Sequence, residues 1–408
     1  MSKRWTKKRL GEVCEISSTL VDPRKPDFIN LLHIGAGNMI SGTGELVDIK
    51  TAKEEGLKSG KFLFDRTMVL YSKIRPYLMK VARPEFDGLC SADVYPLSPD
   101  TTQLDRDFLF YLLITREFTE YAIEGSSRAG MPKVNREHLF SFTNYIPPLL
   151  EQKRIVAILD EAFEGIDRAI ANTEKNLANS RELFESYLNT IFIQKGDGWE
   201  EKKLEDICSI TSKLIDPRQP EFLDLPHVGA GNMISLTGEL IEVKTAREEE
   251  LKSGKFLFDE TMVLYSKIRP YLMKACRPGF SGLCSADVYP LLPNDGQLNR
   301  DFLFHLLMSR NFTDYAISGS DRAGMPKVNR EHLFRYSTWI PHISEQINIA
   351  QKIDEIAAET QRLEAIYHQK IAALKELKQS ILQKAFTGEL TTDTANEVRK
   401  TAKEEIAA

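Results

Sequence analysis

One block of sequence occurs twice in this chain. Trp5 returns as Trp199, and the offset of 199 − 5 = 194 positions holds without insertion or deletion as far as Phe192. Tyr71–Lys80 returns letter for letter as Tyr265–Lys274. Two copies of one fold in one chain are expected to pack as a pseudo-dimer, most simply about a two-fold axis. Such a protein is expected to recognise a target with two similar halves.

The composition is typical of globular protein and gives no overall attraction to nucleic acid. The 408 residues suit two or three domains, and 42% are hydrophobic. The net charge of −5 excludes binding by a wholly basic surface but allows a local basic stripe. Five cysteines without a C-x-x-C pair predict reduced thiols in the core of a cytoplasmic protein. Neither a signal peptide nor a membrane span is expected, since no long apolar run is present.

Each copy divides into a globular part and a helical part. Residues 1–149 and 196–343 are punctuated by Gly and Pro, and their short apolar runs are typical of strands, as at Phe62–Phe64, Met68–Tyr71 and Val94–Leu97. Asp107–Ala122 has the apolar spacing of one helix. We therefore predict an α+β protein with two near-identical mixed α/β domains.

Residues 150–195 and 344–390 predict two long helices. Their apolar residues recur every three or four positions, and Pro is absent from both Glu151–Phe192 and Glu345–Phe386. Each would be a rod of roughly 60 Å. An apolar stripe of that length must be covered, so we expect the rods to pack antiparallel as a coiled coil with one globule at each end. The charged tail, residues 391–408, has no counterpart in the first copy and is expected to be mobile.

The segment Tyr71–Lys80 combines cations with aromatic rings. It contributes Lys73, Arg75, Tyr77 and Lys80 as candidate DNA-binding residues, repeated as Lys267, Arg269, Tyr271 and Lys274. Such residues suit phosphates and exposed base faces. The alternative is a strand with solvated alternate residues, preserved because the duplication is recent. The sequence leaves both interpretations open.

The segment Ser126–Asn135 predicts an exposed basic loop that caps a helix starting near Asn135. It adds Arg128, Lys133 and Asn135 to the candidates, with Arg322, Lys327 and Asn329 in the second copy. A helix N-terminus beside cations suits a phosphate, and Asn and Arg suit purine edges. An ordinary capped turn explains the pattern equally well.

Gly35–Asn38 is interpreted as a tight turn. It lacks the third glycine of a dinucleotide loop, and no helix is predicted after it. Asn38 and Asn232 remain candidate base readers on this turn. The histidines lack the paired spacing of metal ligands, and no nucleophile–base arrangement stands out. We therefore expect binding, without a metal site or catalytic residues in this chain.

Several motifs resemble the DNA-specificity subunits of type I restriction–modification enzymes. Ile146–Gln152 resembles the family's "IPPL-x-EQ" start of the central conserved helix, and Ile340–Gln346 is a weaker second instance. Ser380–Leu390 resembles the closing "LLQKAFSGEL", and Tyr71–Lys80 resembles a frequent "SKIRPYLGK" segment. The resemblance covers the chain as far as Leu390.

This resemblance implies two target-recognition domains that each read one half of a split double-stranded DNA site. The helices would act as a ruler that holds the domains about one DNA turn, roughly 34 Å, apart. It also implies docking of two methyltransferase (modification) subunits and of restriction/translocase subunits. Adenine-N6 methylation, DNA cleavage and the cofactors S-adenosylmethionine, ATP and magnesium would belong to those partners, and this chain would be a non-catalytic subunit without a cofactor.

One departure from the family pattern matters. Recognition domains in this family usually differ, whereas these are near copies, which predicts an interrupted palindrome. The differences Arg66/Glu260, Ser127/Asp321 and Tyr111/His305 are candidates for distinguishing the half-sites. Three alternatives remain open: a stand-alone pseudo-dimeric DNA-binding regulator, an enzyme in its own right, and a coiled-coil scaffold without a DNA role.

Overall fold

The computed structural model describes residues 5–126, 131–194, 196–210, 213–320 and 326–390. These residues form two compact units. One unit contains the described residues up to Glu174 and from Gln369 onward, and the other spans Lys175–His368. Each unit therefore contains one globular domain and a part of both long helices. Across the described ranges, no helix is long and apolar enough to cross a membrane.

The first globular domain is built from short strands and three helices. The strands are β1 (Thr6–Arg9), β2 (Cys14–Ile16), β3 (Leu20–Val21), β4 (Leu32–Ile34), β5 (Lys50–Thr51), β6 (Lys61–Phe64), β7 (Val69–Ser72), β8 (Val81–Ala82), β9 (Gly88–Cys90), β10 (Val94–Pro99) and β11 (Thr143–Ile146). The helices are α1 (Arg106–Leu113), α2 (Arg116–Glu124) and α3 (Arg136–Ser141), followed by the long helix α4 (Leu149–Ile193).

The second domain repeats this order with small changes. Its strands are β12 (Glu200–Lys203), β13 (Cys208–Ser209), β14 (Leu214–Ile215), β15 (Pro226–Val228), β16 (Lys244–Thr245), β17 (Lys255–Phe258), β18 (Val263–Ser266), β19 (Ala275–Cys276), β20 (Gly282–Cys284), β21 (Val288–Pro293) and β22 (Ser337–Ile340). Its helices are α5 (Leu204–Ile207), α6 (Arg300–Leu307), α7 (Arg310–Ser318) and α8 (Arg330–Phe334), followed by the long helix α9 (Ile343–Phe386).

Each domain contains the same three sheets. In the first domain a four-stranded sheet has the order β2-β10-β7-β8, and a five-stranded sheet has the order β3-β6-β9-β4-β5. All pairs are antiparallel except β4 with β9, and Tyr71 faces Tyr95 across β7 and β10. The third sheet pairs β1 with β11, which brings the chain to the start of α4. The three predicted strand runs in the first domain are confirmed as β6, β7 and β10.

The prediction of one helix over Asp107–Ala122 is wrong. The segment forms α1 and α2, which are separated by Ile114 and Thr115. Thr115 adopts an extended backbone and caps α2, because its hydroxyl accepts a hydrogen bond from the Phe118 N–H at 3.2 Å. The same hydroxyl donates to the Leu112 carbonyl at 2.7 Å, so this side chain both ends one helix and starts the next.

The two long helices run antiparallel within each unit. In the first unit, Lys378 of α9 donates to both carboxylate oxygens of Asp167 of α4 at 2.7 Å. Trp5 hydrogen-bonds Glu151 near the start of α4 and lies close to Gly388, just after α9. The start of α4 therefore lies beside the end of α9, as the apolar pattern predicts.

The second unit contains the reciprocal arrangement. Arg181 of α4 contacts Glu364 of α9 through two hydrogen bonds of 2.7 and 3.1 Å. Trp199 connects the other ends, because it lies close to Gly196, shortly after α4, and hydrogen-bonds Glu345 near the start of α9.

The apolar faces of the long helices complete the domain cores. In the first unit Phe108 of α1 packs against Phe386 of α9 with ring centroids 4.8 Å apart, and Leu159 and Ile166 of α4 are fully buried in the same cluster. All five cysteines are buried and unpaired, which confirms the prediction of core thiols. The predicted fold class is confirmed: two tandem domains of mixed helix and sheet, with a long helix in the middle and another at the end.

Candidate nucleic-acid interface

The basic segment found in the sequence forms an exposed loop. We name residues 73–80, and their equivalents 267–274, the basic loop; it joins β7 to β8 and β18 to β19. Arg75 is exposed, and Tyr77 exposes 52% of its surface. In the second domain Arg269 is exposed and Tyr271 exposes 54%. Pro76–Leu78 and Pro270–Leu272 form 3-10 helical turns, which excludes a strand in the middle of the segment.

The backbone of the basic loop is held in an unusual conformation. Arg75 and Met79 have φ angles of 51° and 45°, and Arg269 and Met273 have 50° and 47°. Side chains disfavour this left-handed region, at a cost of about 1 kcal/mol or more for each residue. The surroundings must impose the conformation, because both domains adopt it. Strain of this kind is concentrated at functional sites.

The second predicted segment packs directly against the basic loop. The Arg75 N–H donates to the Pro132 carbonyl at 2.9 Å, and the Val134 N–H donates to the Lys73 carbonyl at 2.8 Å. Ile74 and Lys133 form an isolated antiparallel bridge between these hydrogen bonds. The two motifs, about 60 residues apart in sequence, therefore form one surface in each domain.

Lys73 lies behind this surface. Its ammonium donates to the Ala92 carbonyl and lies 5.0 Å from the ring centre of Tyr95. Burial lowers the pKa of Lys73, and the nearby charge of Lys133 lowers it further. A direct phosphate contact would require Lys73 to leave the Ala92 carbonyl, so the geometry favours a supporting role. Lys267 makes the equivalent contacts with Ala286 and Tyr289.

An acidic residue moderates the charge of this surface. Lys133 lies 4.0 Å from the carboxylate of Asp93, and both side chains are about half exposed. In the second domain Asp287 contacts Lys327 at 3.1 Å and Lys267 at 3.7 Å. Within the described residues, by contrast, no ion pair involves Arg75 or Arg269. The arginine of the basic loop is therefore an exposed cation that is available to an anionic ligand.

The Gly35–Asn38 motif forms a turn that is fastened by its own asparagine. Asn38 Oδ1 accepts from the Gly35 N–H at 2.8 Å, and Nδ2 donates to the carbonyls of Val47 and Asp48 at 3.1 Å. We name residues 35–48 and 229–242 the glycine turn. Asn232 repeats these three bonds in the second domain. Both ends of the amide are already engaged, so the geometry favours a structural role over base reading.

Lys80 joins the glycine turn to the basic loop. Its ammonium donates to the Ala36 carbonyl at 2.6 Å, and Lys274 donates to the Ala230 carbonyl at 2.8 Å. The Gly42 N–H also donates to the Met79 carbonyl at 3.0 Å. Lys80 therefore holds two loops together, and its candidate role as a DNA-binding residue stays a prediction.

The prediction that a helix starts at Asn135 is confirmed. Asn135 caps α3 by accepting from the His138 N–H at 2.8 Å, and Asn329 caps α8 in the same way at 2.7 Å. The phosphate site predicted at this helix start stays a prediction. Arg128 and Arg322 lie outside the described residues.

The sequence analysis missed Arg136, which follows this cap. Its guanidinium lies 6.0 Å from the ring centre of Tyr95 and contacts Ser18 Oγ at 3.4 Å. Arg330 in the second domain instead donates to the Ile210 carbonyl at 2.9 Å. The signal was present, since the arginine directly follows the predicted cap in both copies.

One predicted difference between the half-sites, at positions 111 and 305, lies at the junction with the long helices. Tyr111 and His305 are buried at 2% and 3% exposure, and they contact Asp160 and Asp354 on the long helices. This junction also contains Arg83, which bonds Asp160 at 2.7 Å and therefore does not extend the basic surface. Because burial hides both side chains from a ligand, this position makes no direct contact with DNA, and its effect on the half-sites stays a prediction.

The difference at positions 66 and 260 lies away from the basic loop. Arg66 and Glu260 are exposed, but they lie before β7 and β18, at the opposite strand ends from the basic loop. Ser127 and Asp321 lie outside the described residues. Among the described residues no group of three or more His, Cys, Asp or Glu side chains is placed to hold a metal ion.

These features define a class of protein with two tandem domains, each presenting an exposed arginine and tyrosine on a braced basic loop. The sequence profile of the type I restriction modification DNA specificity domain matches residues 2–178 and again residues 196–375. Because the two matches cover most of the chain, the protein belongs to this family.

Two curated relatives agree with this assignment. The type I restriction enzyme EcoDI specificity subunit of Escherichia coli is 36% identical over 188 residues, which is 46% of this chain and 41% of that protein. The chain thus matches less than half the length of this relative. The type I restriction enzyme MjaVIII specificity subunit of Methanocaldococcus jannaschii is 22% identical over 354 residues, or 76% of each chain.

Solved structures share the fold. A chain from a structure described as the basis of complex assembly and conformational transition of the type I R-M system has a TM-score of 0.78 at 20% identity, covering 95% of this chain and 98% of that one. The HsdS subunit from Thermoanaerobacter tengcongensis has a TM-score of 0.62 at 22% identity, covering 96% and 98%. The predicted assignment to the specificity-subunit family is confirmed.

Proposed function

We propose that this chain is the non-catalytic DNA-recognition subunit of a type I restriction–modification complex and reads a split double-stranded site. The observation that carries the proposal is the paired basic loop, with an exposed arginine and an exposed tyrosine in each domain. The family match and the names of the relatives, which are specificity subunits, support the same role.

The basic loop suits contact with a nucleic-acid groove. A guanidinium can bind guanine O6 and N7 together, or a phosphate, through two parallel hydrogen bonds. The fixed left-handed backbone at Arg75 reduces the conformational entropy lost when this side chain is ordered on DNA. Tyr77 adds a ring that can stack on a base or pack against a sugar.

The remaining candidate residues divide between contact and support. Lys133 and Asn135 are exposed beside the basic loop and suit contacts with phosphates. Lys73, Lys80 and Asn38 hold the loops in place through their hydrogen bonds to backbone groups. The equivalents in the second domain divide in the same way.

The identity of the two basic loops supports an interrupted palindrome. Arg75 and Arg269, and Tyr77 and Tyr271, have the same neighbours, similar exposure and nearly the same backbone angles. Equal surfaces are expected to prefer equal bases, read on opposite strands. The bases contacted by these identical residues should therefore be the same in both halves of the site.

We further propose that the chain assembles with two methyltransferase (modification) subunits and with restriction/translocase subunits. The support is family membership. Adenine-N6 DNA methylation would then require S-adenosylmethionine on the methyltransferase subunits, and cleavage would require ATP and magnesium on the restriction subunits. This chain would bind none of these cofactors.

Mapping N6-methyladenine in host genomes with this gene intact and deleted tests the proposal. We expect one split motif to lose methylation on deletion, and the purified chain to retain a methyltransferase from the host. Methylation that is unchanged by deletion would contradict the proposal. A chain that binds one specific site without any methyltransferase partner would indicate a stand-alone regulator.

The double variant Arg75→Ala/Arg269→Ala tests the basic loop itself. If the arginine contacts a base, its loss is expected to cost about 1–3 kcal/mol of binding free energy. If it contacts a phosphate, the slope of log binding constant against log salt concentration is expected to become shallower by about one for each domain. The matched control is Arg24→Ala/Arg218→Ala, because these exposed arginines are already neutralised by Asp22 and Asp216. Equal DNA affinity of both double variants would exclude the basic loop as the reader.

A further inference from the structure

One position beside the basic loop differs between the two domains. The glycine turn has Gly42 in the first domain and Leu236 in the second, with nearly equal φ angles of 70° and 69°. Glycine adopts this left-handed conformation freely, whereas a leucine is strained in it. Leu236 nevertheless exposes 50% of its surface, so burial in the core does not offset the strain.

Position 42/236 is fixed against the basic loop by its own backbone. The Leu236 N–H donates to the Met273 carbonyl at 3.2 Å, as Gly42 does to Met79 at 3.0 Å. Met273 is two residues from the exposed ring of Tyr271. The isobutyl side chain of Leu236 is therefore attached to the backbone beside the loop that carries Arg269 and Tyr271.

The first domain has space for a Cβ at this position. A Cβ placed on Gly42 would meet nothing closer than the Met79 Cε, at 3.9 Å. Crowding around the Cβ therefore does not explain the glycine in the first domain. A residue that is held in a strained backbone conformation beside the basic loop is a candidate for contact with the ligand of that loop.

We propose that Leu236 is a specificity-determining residue that contacts a base pair in one half of the site and favours a thymine there. This inference rests on the proposed DNA-recognition function. The leucine side chain has no hydrogen-bonding group, so the feature of a base edge that it can recognise is the C5-methyl group of thymine in the major groove. Gly42 offers no such contact. The half-sites are then equal where the identical residues read them and differ at one position.

The test exchanges the two residues in the full complex. Methylation motifs are mapped for the wild type, for Leu236→Gly and for Gly42→Leu in the host strain. With Leu236→Gly we expect the thymine preference of one half-site to relax, so that the motif becomes palindromic. With Gly42→Leu we expect the other half-site to gain that preference. Leu214→Ala, which alters an exposed leucine on β14, is the control and should leave the motif unchanged.

A binding measurement tests the contribution of the thymine methyl group alone. Once the wild-type motif is known, the thymine assigned to Leu236 is replaced by deoxyuridine, which removes only the C5-methyl group. We expect the wild-type complex to bind this DNA about four-fold more weakly, the usual effect of one buried methyl group, and the Leu236→Gly complex to bind both DNAs equally. Equal binding of both DNAs by the wild type would overturn the inference.

The outcomes separate this inference from the proposed function. A wild-type complex that methylates no specific motif contradicts the proposed function itself. A specific wild-type motif that is unchanged by Leu236→Gly overturns the inference alone. The melting temperature of Leu236→Gly should equal or exceed that of the wild type, because strain is removed. A lower melting temperature with an unchanged motif would assign Leu236 to packing, and loss of the methyltransferase would assign it to a subunit contact.

Discussion

Asn38 illustrates how a residue that suits base recognition can instead fasten a loop. Its side chain makes three hydrogen bonds to backbone groups of the glycine turn. Because these bonds are partly solvated, we expect Asn38→Ala to lower the free energy of unfolding by about 1–2 kcal/mol. Chemical denaturation of the full chain measures this, with Asn30→Ala, an exposed asparagine, as the control. An altered base preference at unchanged stability would instead make Asn38 a reader.

His305 introduces a pH dependence into the second domain only. It is buried between α6 and the long helix α9, and its Nε2 lies 2.9 Å from Asp354. Burial lowers the pKa of His305 below its ordinary value of 6.5, although the hydrogen bond with Asp354 opposes this. Burial would by itself raise the pKa of Asp354, but His305 and Arg277 lower it to about 2.

The sign of the effect follows from the lowered pKa of His305. The folded protein binds a proton at His305 less readily than the unfolded chain, so stability is complete above pH 6.5 and falls as the pH decreases below it. The stabilisation from Asp354 is complete above its ordinary pKa of 3.8 and is lost only as the pH falls below that value, outside the range tested here. We therefore expect His305→Tyr, which copies Tyr111 of the first domain, to reduce the loss of melting temperature between pH 6.5 and pH 4.5. The same change of melting temperature with pH in the wild type and in His305→Tyr would contradict this prediction. The reverse variant, Tyr111→His, should introduce a loss of melting temperature at low pH in the first domain.

At the scale of elements, the Glu-Gln pair that begins each long helix fastens it to its globular domain. Gln152 is fully buried; its Oε1 accepts from the Asp105 N–H at 2.7 Å, and its Nε2 donates to the carbonyls of Gln103 and Pro147 at 2.8 Å. Gln346 repeats all three bonds in the second unit. The neighbouring Glu151 accepts from the indole of Trp5 at 3.1 Å. The motif that identified the family therefore has a structural cause.

Removing this glutamine leaves buried backbone groups without partners. We expect Gln152→Ala to lower the free energy of unfolding by about 3 kcal/mol, because each unsatisfied buried group costs about 1–3 kcal/mol. The control is Gln351→Ala, on the exposed side of α9. Denaturation curves of both variants, recorded with the full chain, provide the comparison. A loss no greater than that of the control would show that the hydrogen bonds do not stabilise the junction.

Regular patterns allowed the elements to be predicted, whereas contacts between distant segments could not be predicted. The uninterrupted apolar spacing placed the ends of α4 within two residues of those observed, and the ends of α9 within four. The break at Thr115 was missed, because a threonine that caps one helix also fits the apolar spacing of a continuous helix. Local sequence marked Lys80 as basic, but only the folded chain reveals that the Ala36 carbonyl, 44 positions away, binds it.

The same limit applies to the candidate interface. Repetition identified the basic loop, since both copies keep all ten letters. It could not separate the exposed Arg75 from the partly buried Lys73, because their environments depend on Pro132, Ala92 and Tyr95. Because Gly42 and Leu236 differ between the copies, repetition did not identify this position. A glycine-to-leucine change is conspicuous only once the φ angle at that position is known.

At the scale of the whole molecule, we propose that the long helices set the distance between the two halves of the DNA site. Both α4 and α9 contribute residues to both compact units. Inserting four residues lengthens a helix by about 6 Å, which is roughly the rise of two base pairs of DNA. It adds one full helical turn plus about 40°, so the helix end keeps nearly its original orientation. We expect insertion of four residues after Glu174 in α4 and after His368 in α9 to lengthen the unread spacer of the methylated motif by one or two base pairs.

Two further insertions give this experiment its controls. Inserting two residues at the same positions would rotate each helix end by about 200° and turn the apolar faces away from their partners. We therefore expect this variant to lose methylation. Four residues added after Leu390 do not interrupt either helix and should leave the motif unchanged. Because the readers themselves are unaltered in the four-residue helix variant, its half-sites should keep their bases while only the spacer changes. A methylated motif with the original spacer in that variant would mean that the helices do not determine the distance.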